Sequence, residues 1–245
     1  MPIIYLSPSM RPDKYLGGGE EQYYMNQIAD AMEPLLRANG IKYMRSKFGS
    51  SLGQAIREAN SEYYDLYMGL YSNASPENLS GRLMGTDIFY FTYGSRAKSA
   101  AEIISENYKK IYSDPVLVKA VPTTQISEVS KTNAPAVLVE TAYHDNLKDV
   151  EWIKSHINAI AANLVESFTR YFGVPFLNAP KPAIRGIAAT QGSNLNILRK
   201  PDLNADIIVQ VPNKAAITIF GEWNGWYVVD YKGRVGYAST KYITV

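Results

Sequence analysis

The chain has 245 residues, of which 46% are apolar and 20% charged, with 17 Gly and 13 Pro. That composition excludes a disordered chain, a collagen-like repeat and a coiled coil. Lys+Arg 25 against Asp+Glu 23 leaves a net charge of +2, too little for the electrostatic footprint of a nucleic-acid binder, so no nucleic-acid partner is expected. Cysteine is absent, which removes disulfides, thiolate metal sites and cysteine nucleophiles together. The opening Met1-Pro2-Ile3-Ile4-Tyr5-Leu6-Ser7 has no basic segment and no long apolar run, so no signal peptide is visible, and no transmembrane segment is expected anywhere.

In chain order, Ile3 to Leu6 reads as a strand. Glu21 to Asn39 then places Met25, Ile28, Met32, Leu35 and Leu36 on one helical face before Gly40. Pro34 inside this helix withholds an N–H from the carbonyl of Asp30 and predicts a bend. The alternation continues with a strand at Ile41 to Arg45, a helix at Leu52 to Ser61, and strands at Asp65 to Leu70 and Asp87 to Thr92. A helix at Arg96 to Tyr112, a strand at Ala136 to Glu140 and a helix at Val150 to Phe172 complete it. The pattern predicts an α/β fold, a mostly parallel sheet with helices on both faces, whose ligands bind beyond the carboxyl ends of the strands.

Asn178-Ala179-Pro180-Lys181-Pro182-Ala183 reads as a linker, which divides the chain into residues 1–177, a linker at 178–183 and residues 184–245. From Lys181 onward eight Lys/Arg face four Asp/Glu, or +4, so the smaller part is the basic one. It shows only short β-prone runs at Leu195, Ile207, Ala216, Trp226 and Val235, separated by turn signals such as Asn224-Gly225 and Lys232-Gly233. This predicts a small all-β barrel.

Candidate chemistry is sparse. Only His144 and His156 exist; His156 falls inside a regular amphipathic helix, whereas His144 follows a buried strand, where functional groups tend to sit. Glu140 ends the apolar run Ala136-Val137-Leu138-Val139, so desolvation is expected to raise its pKa and poise it as an acid/base; the alternative is a salt-bridged strand-end carboxylate. Gly17-Gly18-Gly19-Glu20-Glu21 puts two carboxylates at a helix N-terminus, where the dipole alone accounts for one of them. Tyr67 and Tyr71, two residues apart on one strand, share a face and offer stacking and hydroxyl contacts to a sugar or peptide, or simply pack.

Pro135-Ala136-Val137-Leu138-Val139-Glu140, with Tyr143 and Asn146 after it, resembles the late strand of the zinc-dependent N-acetylmuramoyl-L-alanine amidases of peptidoglycan. Glu21 at its helix start, and the segment Ser72-Asn73-Ala74, resemble other parts of that family's pattern. Asn194-Leu195-Asn196-Ile197-Leu198-Arg199, Gly225-Trp226-Tyr227-Val228 and Gly236-Tyr237 resemble the bacterial SH3-type domains that tether such enzymes to cell walls. The resemblance implies Glu140 as catalytic acid/base and Glu21 as a zinc ligand. It puts Met10 and Tyr71 at the positions of two zinc histidines, so no cofactor is expected unless a rearranged site, with His144 swung in beside Glu21 and Glu20 or Glu140, still holds zinc.

It also implies binding of peptidoglycan or muropeptide, with Glu20, Tyr67, Tyr71, Asn73 and His144 lining one site and Tyr227, Tyr237 and Tyr242 a groove in the small domain. Anionic wall polymers would be attracted by the +4 charge, and the location would be the cell wall or outside the cell. The resulting expectation is a wall-binding protein whose amidase-like domain is degenerate at its metal site; the alternative is an active amidase cleaving the bond between N-acetylmuramic acid and L-alanine.

Overall fold

The computed structural model describes residues 1–245. Two compact units emerge: an α/β unit comprising residues 3–33 and 43–171, and a second unit comprising residues 1–2, 34–42 and 172–245.

The α/β unit is built on a six-stranded sheet in the order β2-β1-β3-β6-β4-β5. Strands β1 (Ile3–Pro8), β3 (Leu66–Asn73) and β6 (Ala136–Tyr143) run parallel, and their apolar runs are buried almost throughout, as strands covered on both faces must be. Strand β4 (Thr86–Phe91) runs antiparallel to β6 and parallel to the edge strand β5 (Val118–Thr123), while β2 (Lys42–Arg45) closes the other edge. This one reversal matters for chemistry. It brings the start of β4 to the end of the sheet where β1, β3 and β6 finish, and sets Asp87 opposite Glu140, which itself pairs with Tyr71.

Helix α1 (Glu21–Ala38) buries the five apolar residues read from its spacing and runs on through Pro34. Helix α2 (Leu52–Ser61) opens with a reciprocal cap, in which Ser51 Oγ accepts from Gln54 N–H while the Gln54 side chain accepts from Ser51 N–H. Helix α3 (Ser95–Tyr108) covers β4 and β5. The five-residue α4 (Ser127–Lys131) lies against β6, and its Val129 joins Tyr5, Tyr67, Tyr71, Leu138 and, from α2, Ala55 and Ala59 in one core cluster.

The single helix expected over Val150 to Phe172 is two, α5 (Leu147–Ser155) and α6 (Ile157–Phe172). They part at His156, which therefore does not lie within a regular helix: its ring stacks on Trp152 and its Nδ1 is 2.9 Å from the Trp152 carbonyl oxygen. The α5 N-terminus is capped by Asn146, whose side-chain oxygen accepts from Lys148 N–H and Asp149 N–H.

The second unit carries a seven-stranded, wholly antiparallel sheet in the order β13-β7-β10-β11-β12-β8-β9. Strands β8 (Leu195–Leu198), β9 (Ile207–Val211), β10 (Ala216–Trp223), β11 (Trp226–Tyr231) and β12 (Arg234–Ser239) follow the runs read from sequence. Strands β7 (Ile184–Ala188) and β13 (Ile243–Thr244), which pair with each other, had no such signal. Gly236 is required by close approach, because a Cβ there would sit 2.7 Å from the Leu198 carbonyl oxygen.

Candidate functional site

The strand ends of the α/β unit gather an unusual density of buried polar groups. Glu21 is the first residue of α1 and fully buried. Its Oε1 accepts the Ser72 N–H at 2.9 Å, while its Oε2 is buried without a partner. Burial pushes the Glu21 carboxyl up to about 7, with the Ser72 N–H and the Arg11 guanidinium resisting the shift.

Ser72 links this acid to the imidazole, its N–H donating to Glu21 while its Oγ lies 3.0 Å from His144 Nδ1. His144 follows β6 directly, its N–H donating to the Asn73 carbonyl at 2.8 Å and its ring stacked on Tyr15 at 5.7 Å. Burial lowers its pKa, so the ring is neutral near pH 7.

On the other side of β3, alternation turns Tyr67 and Tyr71 to the face covered by α4. There Glu128 is almost completely buried and accepts the Tyr67 hydroxyl at 2.7 Å, and the nearby Tyr71 hydroxyl also favours its charged form. Burial raises Glu128 to about 7 against the pull of those two hydroxyls and of Arg11. The Arg11 guanidinium stands over the Tyr71 ring, 5.2 Å from its centroid. Glu140, half-buried at the centre, is raised to about 8 by burial and then by the charges of Asp87 and Glu21, with Arg11 opposing. Near neutrality it is chiefly protonated and able to donate a hydrogen bond or a proton, which suits a general acid better than a base.

The structure thus brings Glu21, Tyr71, Glu140, His144 and Asn73 to one end of the sheet. The Asn73 side chain reaches Asp87 Oδ2 at 3.4 Å. Tyr67 does not offer itself to a ligand, since it is fully buried and spent on Glu128; Tyr71 is also buried, with its hydroxyl directed to the same acid. Glu20 turns away from the site to Lys14 and Gln22. The Met10 sulfur contacts the Asn26 side chain at 3.9 Å. In the second unit Tyr237 is buried and cannot line a groove. Tyr227 points to the opposite face from its neighbour Trp226, where it packs on the core of the sheet and borders a cavity of about 470 Å³.

Three contributors escaped the sequence reading. Glu128 sits in a helix too short to show a period, Asp87 owes its place to the antiparallel turn of β4, and Arg11 lies in an irregular loop. Only Asp87 had a local signal, as a charge at the start of an apolar strand.

The resemblance implies a zinc ion. A catalytic zinc needs three protein ligands and an open position. No three His, Cys, Asp or Glu side chains converge so as to hold an ion. Of the groups nearest to such a set, Glu21 Oε1 is engaged by Ser72 and His144 Nδ1 by the Ser72 hydroxyl.

Among solved structures, the amidase AmiC2 of Nostoc punctiforme is 16% identical, covering 70% of this chain and 97% of its own at a TM-score of 0.61. An N-acetylmuramoyl-L-alanine amidase of Clostridium difficile 630 is 15% identical with the same coverages and a TM-score of 0.62, and Ami1 of Mycobacterium smegmatis is 14% identical at 0.61, again covering 70% and 97%. No curated protein matches the chain. Residues 193–244 match the bacterial SH3 domain family. Residues 13–170, more than half of the chain, match the N-acetylmuramoyl-L-alanine amidase family, and the chain belongs to that family.

Proposed function

We propose that this protein resides in the cell wall or outside the cell, and that its amidase-like site holds muropeptide without ordinary zinc-dependent hydrolysis. The observation that carries this reading is the burial of Tyr71 and the contact of Met10 with Asn26, at the two positions where the family resemblance places histidines. Neither side chain supplies a nitrogen donor, and Glu21 alone cannot lower the pKa of a bound water or polarise an amide carbonyl. What remains is a set of polar groups at the strand ends suited to recognition. Glu140 presents a neutral carboxyl, Asn73 an amide and Arg11 a guanidinium, the groups that pair with peptide carbonyls, amides and carboxylates. The +4 charge of the smaller part favours attachment to anionic wall polymers.

The full chain is expected to pellet with purified sacculi while releasing no soluble peptide. Zinc-dependent, chelator-sensitive release of peptides beginning with L-alanine would overturn this reading.

One observation favours the alternative of an active amidase with a rearranged metal site: Glu21 Oε2 is buried without a partner, one serine away from His144. That alternative requires about one zinc per chain after reconstitution and loss of hydrolysis in Glu140→Ala. A chain that stays metal-free after zinc loading removes it.

A further inference from the structure

The second unit holds a groove of about 320 Å³, at the lower end of the range for small-molecule sites, about 300–1,000 Å³. Trp226, at the start of β11, pairs across the sheet with Ser239 of β12. The chain then passes through a single 3₁₀ turn to Tyr242, so both aromatic residues line the groove. Asn194 and Asn196 form another part of its wall, and Leu203, 81% exposed, stands at its rim. The Asn196 side-chain oxygen is engaged by the Gln210 amide at 3.0 Å, which leaves its NH2 group as a donor.

The lining contains no Lys, Arg, Asp or Glu, although this part of the chain carries eight Lys/Arg and four Asp/Glu. Charge has been kept out of this one concavity. A groove for an anionic polymer would place cations in it, and a groove for a free peptide terminus would place a counter-charge there. Indole and phenol faces beside uncharged amides and hydroxyls instead match a neutral sugar. The apolar ring face stacks on an aromatic, the hydroxyls pair with Asn and Ser, and an acetamido group finds both an amide partner and an apolar contact for its methyl.

We propose that the groove between Trp226, Tyr242, Asn194 and Asn196 binds a neutral, N-acetylated oligosaccharide. The site adds a sugar-reading element to the protein and does not depend on the reading of the amidase-like site.

The test uses the full chain and the β-1,4-linked tetramer of N-acetylglucosamine, which carries neither peptide nor charge, followed by tryptophan fluorescence and calorimetry. Binding insensitive to salt is expected, weakened by at least about fivefold in Tyr242→Ala and in Asn194→Ala, each loss being that of one stacking or hydrogen-bonding contact. Both side chains are exposed, so both variants keep the fold. Lys214→Gln, outside the groove, is expected to leave affinity unchanged. Three results would overturn the proposal: no binding of the tetramer, tetramer binding that survives both substitutions, or displacement of the tetramer by polyglutamate with a steep salt dependence. Pelleting with sacculi in the absence of tetramer binding would leave the muropeptide reading standing and remove this one.

Discussion

The two sheets of this molecule bury different things. Every buried polar or charged side chain of the six-stranded unit and its helices, from Ser7 to Thr169, has no counterpart in residues 184–245, where the buried set is aliphatic apart from Tyr237. In the α/β unit three carboxylates, Glu21, Glu128 and Asp149, are almost completely enclosed. Enclosure of that kind costs folding energy unless hydrogen bonds offset it. The core of the all-β sheet shows what burial in this chain does when stability alone is served. That core is Ile197, Val211, Ile217, Ile219 and Val229, and the polar groups of the sheet stay at the surface, in a groove. The contrast separates burial that holds the fold from burial that sets up chemistry.

Asp149 belongs to the first kind, and removing it has the largest expected effect. Its carboxylate accepts the Tyr143 N–H at 2.9 Å, the Gly85 N–H at 3.1 Å and the Tyr112 hydroxyl. Asp149→Ala strands three buried donors and is expected to destabilise the α/β unit by about 4 kcal/mol. Urea unfolding followed by helical circular dichroism reads mainly that unit, which holds all of the helices except the end of α1 and the last residue of α6. A loss below about 1 kcal/mol would mean that water already serves these donors.

Ile197→Ala makes the matching cut in the all-β sheet. Ile197 is fully buried and packs against the backbone at Gly236. Its truncation leaves a dry cavity and is expected to cost about 3 kcal/mol, read by the fluorescence of Trp223 and Trp226. An effect that varied with pH would erase the distinction between the two sheets.

A pH series sharpens that distinction. Glu21, Glu128 and Glu140 titrate near 7, 7 and 8 when folded, against an ordinary value of 4.5. Between about pH 4.5 and 8 the folded chain therefore holds more protons than the unfolded one, so stability falls as pH rises through this window and is highest at its acid end. Burial of the three acids makes a fall in stability across this window the expected result. It should appear in the helical signal only. A stability that rises over the same window would show that the three acids are ionised and paired.

Much of this organisation was legible in the sequence, for identifiable reasons. Strands β1, β3 and β6 are continuous apolar runs, and α1 and α2 have clear periods with a glycine stop and a serine cap, so pattern and tertiary burial agree. Glu140 and His144 were visible because each follows such a run. What stayed hidden depends on topology. Strand β5 carries Pro122 at a sheet edge and alternates weakly; α4 is five residues long; the break at His156 lies within an unbroken apolar period. Tyr71 was correctly placed at the strand end, but its hydroxyl partner comes from α4, 57 positions later, and no local pattern could supply it. In the all-β unit Tyr237 looked like a ligand contact because aromatic residues serve both purposes; its position between β11 and β8 makes it core.

The smallest effect lies at that hidden acid. Tyr67→Phe removes the hydroxyl that donates to Glu128 and leaves the nearby Tyr71 hydroxyl in place. Because the Tyr67 hydroxyl holds the Glu128 carboxyl down against burial, its loss should move that titration upward. At pH 5 the acid is neutral with or without the hydroxyl, and the variant should lose only an ordinary hydrogen bond, about 1 kcal/mol. At pH 8 the wild-type carboxylate is ionised and receives a charge-assisted bond, so the penalty should be larger there. Denaturant unfolding of both proteins at the two pH values decides the matter. A penalty equal at both would mean that Glu128 does not titrate in this range and that its burial is of the structural kind seen at Asp149, whereas a penalty that grows with pH would mark the Tyr67–Glu128–Tyr71 cluster as part of the charged machinery at the strand ends.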